Sequence, residues 1–252
     1  MTMLSVPYHL DEYLPDFRLP WRGHTETVME ELPDSDSWSR MAVLHEAVAA
    51  RVADEVRAGR TPTVLSGDCM VALGTAAGVQ RAGVDASVVW FDAHGDVQTM
   101  ETSASGYAGG IPLRVLAGYR PDPAMDRLGL RTIPEARLLL VDGRDLDPPE
   151  AEYLRTSAVR HSGVADLGAG DLPGGPLLLH VDLDVIDPDE VPGMLFPTPG
   201  GPSRGTVVEA VHRVLDTGRV EAVSVGCTWR PDREEDLPGG VRAKLLAALL
   251  RR

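Results

Sequence analysis

Cysteine is nearly absent: Cys69 and Cys227 are the two in 252 residues. A scaffold held together by disulfides is therefore excluded. Long apolar runs are missing too. No stretch approaches the about 18 apolar residues of a membrane-spanning helix. The start, Met1-Thr2-Met3-Leu4-Ser5-Val6-Pro7, has neither a basic opening nor the apolar run of a secretion signal. The expected location is the cytoplasm, where both thiols stay reduced. Positive charge is scarce: 24 Lys and Arg stand against 38 Asp and Glu, a formal charge of −14. Such a chain is a poor general binder of nucleic acid or of anionic membrane. Basic residues do not cluster beyond the terminal Arg251-Arg252. There is no phosphate loop, and Gly106-Tyr107-Ala108-Gly109-Gly110 lacks the spacing of a dinucleotide fingerprint. Neither cysteine has a local histidine motif that would suggest a nucleophilic triad.

What is present is an ordinary globular composition, 43% hydrophobic and 25% charged. Apolar, often β-branched runs occur at 63–66, 87–92, 137–142, 176–184 and 220–227. They suit strands buried on both faces of a parallel sheet. Between them lie helical patterns at 37–58, 74–81, 112–118, 203–215 and 241–250, the first Ala-rich and stopped by Gly59. Strand and helix in alternation predict an α/β fold with a mainly parallel sheet. Gly and Pro concentrate in connections at 119–136, 164–175 and 189–205. The whole, 1–252, reads as one domain. In such folds ligands bind beyond the carboxyl ends of the strands.

Two polar clusters stand at such ends. The run Val88-Val89-Trp90-Phe91-Asp92-Ala93-His94-Gly95-Asp96 ends in three potential metal ligands spaced two apart. In an extended backbone Asp92, His94 and Asp96 share one face. The run Leu177-Leu178-Leu179-His180-Val181-Asp182-Leu183-Asp184 repeats the pattern with His180, Asp182 and Asp184. Several carboxylates on two apolar strands repel one another and are costly to desolvate. A divalent cation cancels that cost, and carboxylates with one or two imidazoles suit Mn²⁺. Asp187-Pro188 reads as a turn.

These two runs resemble the signature motifs of the arginase/agmatinase (ureohydrolase) family, over roughly residues 40–235 and in the same order. The resemblance implies a three-layer αβα, arginase/deacetylase-like fold and a hydrolase with a binuclear manganese centre. Thr63-Val64-Leu65-Ser66-Gly67-Asp68-Cys69 resembles the family's first motif, with Cys69 where a histidine ligand belongs. Carried across, the pattern puts Cys69, Asp92, Asp96 and Asp182 around one ion. It puts Asp92, His94, Asp182 and Asp184 around the other, with Asp92 and Asp182 bridging. Thiolate is softer than imidazole and shifts preference toward Zn²⁺ or Fe²⁺. A branch of the family acting on Nω-hydroxy-L-arginine is similar in having cysteine here.

The loop after Asp96 resembles the family's substrate loop. Gln98 and Ser105 hold the places that meet a substrate α-carboxylate, while Gly109 stands where a proton-shuttling histidine is expected. Asp147 and Glu150, in Gly143-Arg144-Asp145-Leu146-Asp147-Pro148-Pro149-Glu150, hold the places of two acids that take an α-ammonium. They are equally a sound helix start. Thr228 falls nearest the position of a glutamate that sits under the guanidinium. The implied reaction is metal-assisted hydrolysis of a guanidine C–N bond, with Asp96 handling the proton. The expected substrate is a small amino acid with a modified guanidine, Nω-hydroxy-L-arginine giving L-ornithine and hydroxyurea. Two alternatives stay open: a single-metal, deacetylase-like amidohydrolase using Asp92, His94 and Asp182, and a non-catalytic relative that keeps a metal for stability. The resemblance also suggests a homo-oligomer.

Overall fold

The five expected strands form, and all five lie in one sheet. The computed structural model describes residues 2–15, 25–226 and 241–250; Cys227 and Thr228 lie outside these. In chain order the strands are β1 (Met3–Val6), β2 (Tyr8–His9), β3 (Glu12–Tyr13), β4 (Thr25–Thr27), β5 (Thr63–Ser66), β6 (Ser87–His94), β7 (Leu138–Asp145), β8 (Arg160–Ser162), β9 (Leu177–Asp182) and β10 (Val220–Gly226). Eight of them make a sheet in the order β4-β1-β5-β10-β9-β6-β7-β8. Every pairing in it is parallel. The short β2 and β3 form a separate antiparallel pair.

The helices are α1 (Ser37–Arg57), α2 (Ala72–Arg81), α3 (Pro112–Leu116), α4 (Pro148–Thr156), α5 (Arg204–Leu215) and α6 (Val241–Leu249). The first is fixed at its start by Asp36, whose carboxylate accepts from the Ser39 N–H at 2.9 Å. Its buried stripe, including Met41, Leu44, Val48, Val52 and Val56, recurs every three to four residues. Ser203 caps α5 by accepting from the Thr206 N–H at 3.1 Å.

Strand alternation sorts the core into two layers. Val88 and Trp90 of β6, Leu178 of β9 and Ala222 of β10 pack with α1, α2 and α3. Their neighbours Val89, Phe91, Leu179 and Val223 pack on the other face with α5 and α6. Period-two side chains thus bury both faces of each central strand, which is why those runs read as continuously apolar. The result is the expected three-layer αβα arrangement. Among the described residues no helix is long and apolar enough to cross a membrane.

Three departures from the sequence reading matter. The strand at 176–184 ends at Asp182, and Leu183–Val185 is a 3-10 turn, so Asp184 is not on an extended segment. Met3–Val6 is a fully buried strand between β4 and β5; four residues interrupted by Ser5 and stopped by Pro7 carry too little pattern to announce it. The register between β6 and β7 slips, since Asp92 faces Asp142 but His94 faces Asp145. The extra β7 residue is absorbed where Asp142 and Gly143 both take positive φ, 89° and 60°.

Candidate metal centre

In a parallel sheet every carboxyl end faces the same edge. Here the ends of β5, β6 and β9 deliver Cys69, Asp92, His94, Asp96, Asp182 and Asp184 to one cavity of about 200 Å³. Gln98, Ser105, Asp147 and Glu150 also line it. Ten of the eleven residues singled out from the sequence therefore meet at one place. The eleventh, Thr228, is outside the described residues.

They converge by a different route from the one alternation suggests. Asp92 and His94 flank the register slip, and Asp96 stands beyond the strand with φ at 54°. A left-handed aspartate is uncommon, and here it turns the carboxylate back into the cluster. Asp184 arrives through its 3-10 turn, whose start is tied by the Asp184 N–H donating to Asp182 Oδ1 at 2.9 Å.

His94 Nδ1 lies 3.3 Å from Asp92 Oδ1 and 3.1 Å from Asp184 Oδ2. Asp92, His94 and Asp184 thus form a set able to hold a cation. The Asp182 carboxylate is turned elsewhere: its Oδ2 accepts from the Cys69 thiol at 2.8 Å. Gly226 makes room for this contact, since a Cβ there would stand 2.9 Å from Cys69 Sγ and 3.2 Å from Asp182 Oδ2. A second possible set is Cys69, Asp92 and His180.

The electrostatics fit a cation. Asp92, Asp96, Asp182 and Asp184 are each at most 4% exposed. Burial pushes Asp182 well above the usual carboxylate range, with the charges of Asp184 and Asp92 adding to it. Asp96 is pushed up likewise, by burial and then by Asp92. Asp184 rises to about 6 for the same two reasons, against the pull of His94. Burial opposes ionisation of Asp92 as well, but its bonds to His94 outweigh it and hold the carboxyl low. Burial lifts the Cys69 thiol, helped by Asp182, Asp96 and Asp92. Asp96 Oδ2 is buried and has no partner among the described residues. A cluster of desolvated carboxylates around an orphaned oxygen is what a divalent cation would satisfy.

At the cavity mouth the helix-start and site readings of Asp147 and Glu150 both hold. Asp147 is the N-cap of α4, and its N–H donates to Glu150 Oε2 at 3.1 Å. Both acids face the cavity, and Gln98 Nε2 donates to Asp147 Oδ2 at 2.8 Å. Gln98 is pinned from its other end by the Thr102 hydroxyl, 2.7 Å from Oε1. Ser105 is exposed, and its hydroxyl accepts from the Tyr107 N–H at 3.2 Å. Asp187 is the turn residue it was read as, accepting from the Gly200 and Gly201 N–H groups.

Several residues here had no role in the sequence reading. The Tyr107 ring fills the space beside Gly109: a Cβ on Gly109 would collide with it. The Tyr107 hydroxyl meets His9 Nε2 at 3.2 Å. Phe196 stands 5.1 Å from the Tyr107 ring and edge-on to His94. An aromatic in a Gly/Pro-rich connection was the available signal for it. Arg144 crosses from the β7 bulge to bond the carbonyls of Asp184 (3.1 Å), Val185 (3.0 Å) and Thr198 (2.7 Å), and pairs with Asp142. Thr198 in turn places its hydroxyl 3.4 Å from His94 Nε2.

A parallel α/β fold with a carboxylate–histidine cluster at its strand ends defines a class of metal-centred proteins. The particular family follows from comparison. Residues 7–227 match the Arginase family profile. The arginase of Bacillus caldovelox is 35% identical over 177 residues, 64% of this chain and 58% of that protein. The arginase of Bacillus subtilis is 30% identical over 233 residues, 83% of this chain and 77% of that protein. The crystal structure of Entamoeba histolytica arginase in complex with L-ornithine superposes with a TM-score of 0.82 at 21% identity, over 98% of this chain and 97% of that one, which shows the shared fold. The chain belongs to the arginase family, the ureohydrolases, and it spans 58% and 49% of the length of the first two curated arginases it matches.

Proposed function

We propose that the protein is a metal-dependent amidinohydrolase that acts on an amino acid bearing a modified, weakly basic guanidine, Nω-hydroxy-L-arginine ahead of L-arginine. The observation that carries the reading is the buried carboxylate cluster, above all the partnerless Asp96 Oδ2. In this reading Cys69, Asp92, Asp96 and Asp182 would hold one ion, and Asp92, His94, Asp182 and Asp184 the other. Mn²⁺ is the ion the carboxylate-rich half suits best. When bound, the ions supply a nucleophilic hydroxide at neutral pH.

The chain's own residues do the rest. Asp147 and Glu150 offer negative charge to an α-ammonium at the cavity mouth, and Gln98 and Ser105 offer donors to an α-carboxylate. Asp96 takes up a proton from the attacking water and delivers it to the leaving nitrogen. Two features argue against plain arginine. Position 109 carries no imidazole, its space being filled by Tyr107. Thr228, the residue nearest the guanidinium end in the family pattern, is neutral, and a hydroxyl cannot pair with a full guanidinium charge as a carboxylate does. An N-hydroxyguanidine is the weaker base and loses less. A reducing, cytoplasmic setting keeps the free Cys69 thiol available as a ligand.

The test is ornithine release from both compounds with Mn²⁺ supplied. The hydroxylated substrate should lead in kcat/KM by on the order of a hundredfold, the worth of a missing buried charge pair. Equal or better turnover of L-arginine would refute the substrate choice. No turnover of either would refute the hydrolase reading. The 2.8 Å thiol–carboxylate contact between Cys69 and Asp182 favours a second reading, in which these two satisfy each other and Asp92, His94 and Asp184 hold a lone cation. Ions per chain discriminate the two.

A further inference from the structure

His180 is fully buried on β9, and neither of its ring nitrogens has a partner among the described residues. Its ring stacks on Trp90 with centroids 3.7 Å apart, and Trp90 Nε1 donates to Asp92 Oδ2 at 3.2 Å. A buried imidazole with both nitrogens unsatisfied is costly and calls for an explanation. The donor atoms of His180, Cys69 and Asp92 all lie within 4.8 Å of one another.

We infer that His180, with Cys69 and Asp92, forms an inner metal site selective for Zn²⁺ or Fe²⁺. The inference rests on the two-ion reading above and adds His180 to the ligands of the ion that touches Cys69. Cys69 and His180 bring a thiolate and an imidazole to that ion, softer donors than the carboxylates that dominate beside His94. His180 does not line the cavity, whereas His94 does. Cys69 and Asp92 also line it, so the inner ion sits at the cavity floor with His180 behind it and exchanges more slowly than the outer one. Asp92 joins the two positions. Trp90 supports the arrangement twice, stacking on the His180 ring and bonding the Asp92 carboxylate, so one indole orients two ligands. The imidazole ligand has moved two strands across the sheet: none stands at 69, after β5, and one waits unpartnered at 180 on β9, with β10 between them.

Cobalt(II) is the probe. Chelator-treated protein titrated with Co²⁺ should develop a thiolate-to-cobalt charge-transfer band, and zinc analysis should find one ion per chain that survives dialysis. His180→Phe keeps the ring stacked on Trp90 but removes the ligand atoms. It should lower zinc affinity more than about 100-fold, beyond what loss of a supporting partner costs, and weaken the cobalt band, while an ion remains at His94. An unchanged zinc affinity and cobalt spectrum in His180→Phe would overturn the inference. Should that variant fail to fold, X-ray absorption on zinc-loaded His94→Ala decides. Sulfur and imidazole together around zinc support the site, and sulfur without imidazole overturns it. These readouts stand apart from turnover, so a protein that hydrolyses neither guanidine leaves the zinc result to be judged alone.

Discussion

Stripped of divalent cations, the protein should lose stability as pH rises from about 4 toward 7. Asp184 is 2% exposed, and burial, followed by the charge of Asp92, raises its folded pKa from 3.8 to about 6. A carboxyl raised on folding binds its proton more tightly in the native chain. Its contribution is full below the unfolded value and is lost as pH climbs through the folded one. A shift of roughly two units corresponds to on the order of 3 kcal/mol from this residue alone. Asp182 and Asp96 are raised in the same direction. His94 adds to the trend above its ordinary value: against burial, Asp184 and Asp92 lift it from 6.5 to about 12, so its share also fades with rising pH. Asp92 is lowered and acts below the window. Saturating Mn²⁺ should flatten the dependence, because a cation stabilises the ionised carboxylates. Urea midpoints read by tryptophan fluorescence at half-unit pH steps, with and without Mn²⁺, measure it, and a constant m-value licenses the comparison. Asp184→Asn isolates the residue from the general effect of a chain carrying −14, and should remove much of the slope between pH 4 and 6. A metal-free protein whose stability stays level or rises over that window would refute the reasoning.

Arg144→Met should destabilise by about 3–6 kcal/mol, since it removes several charge-assisted bonds to carbonyls and leaves Asp142 half-buried without its partner. It should also weaken metal binding by loosening the Asp184 turn; calorimetric Mn²⁺ titration checks this. Gly109→Ala should cost about 1–3 kcal/mol and raise KM, because its Cβ collides with the Tyr107 ring. Unaltered melting would show that the ring is free to move. Cys69→Ala should remove about one ion per chain, and Cys69→His should restore binding of a harder ion such as Mn²⁺, both read by elemental analysis.

Much of this was legible in the sequence because strand chemistry is local. Five apolar runs gave five central strands, and the spacing of Asp92, His94, Asp182 and Asp184 announced a cluster of carboxylates and imidazole at their ends. Other features were not legible, for identifiable reasons. Met3–Val6 gains its strand from neighbours on both sides, β4 and β5, rather than from its own pattern. Arg144 acts at long range: its three carbonyl partners lie 40 to 54 residues away. Tyr107 becomes a wall of the cavity because Gly109 leaves its space empty, and no pairwise spacing encodes that. The parity argument brought the right residues together through a geometry the chain does not use. Straight alternation would have carried Asp96 and Asp184 onward along their strands. A slipped register, a left-handed aspartate and a 3-10 turn fold them back instead. Each irregularity begins beyond the last pair between β6 and β9, Phe91 with Val181, so the backbone is free to bend at the edge where the ligands are needed. The same logic explains His180. Two residues short of the strand end, it is still inside the sheet, and only a partner set deep at the cavity floor, such as an ion, can reach it.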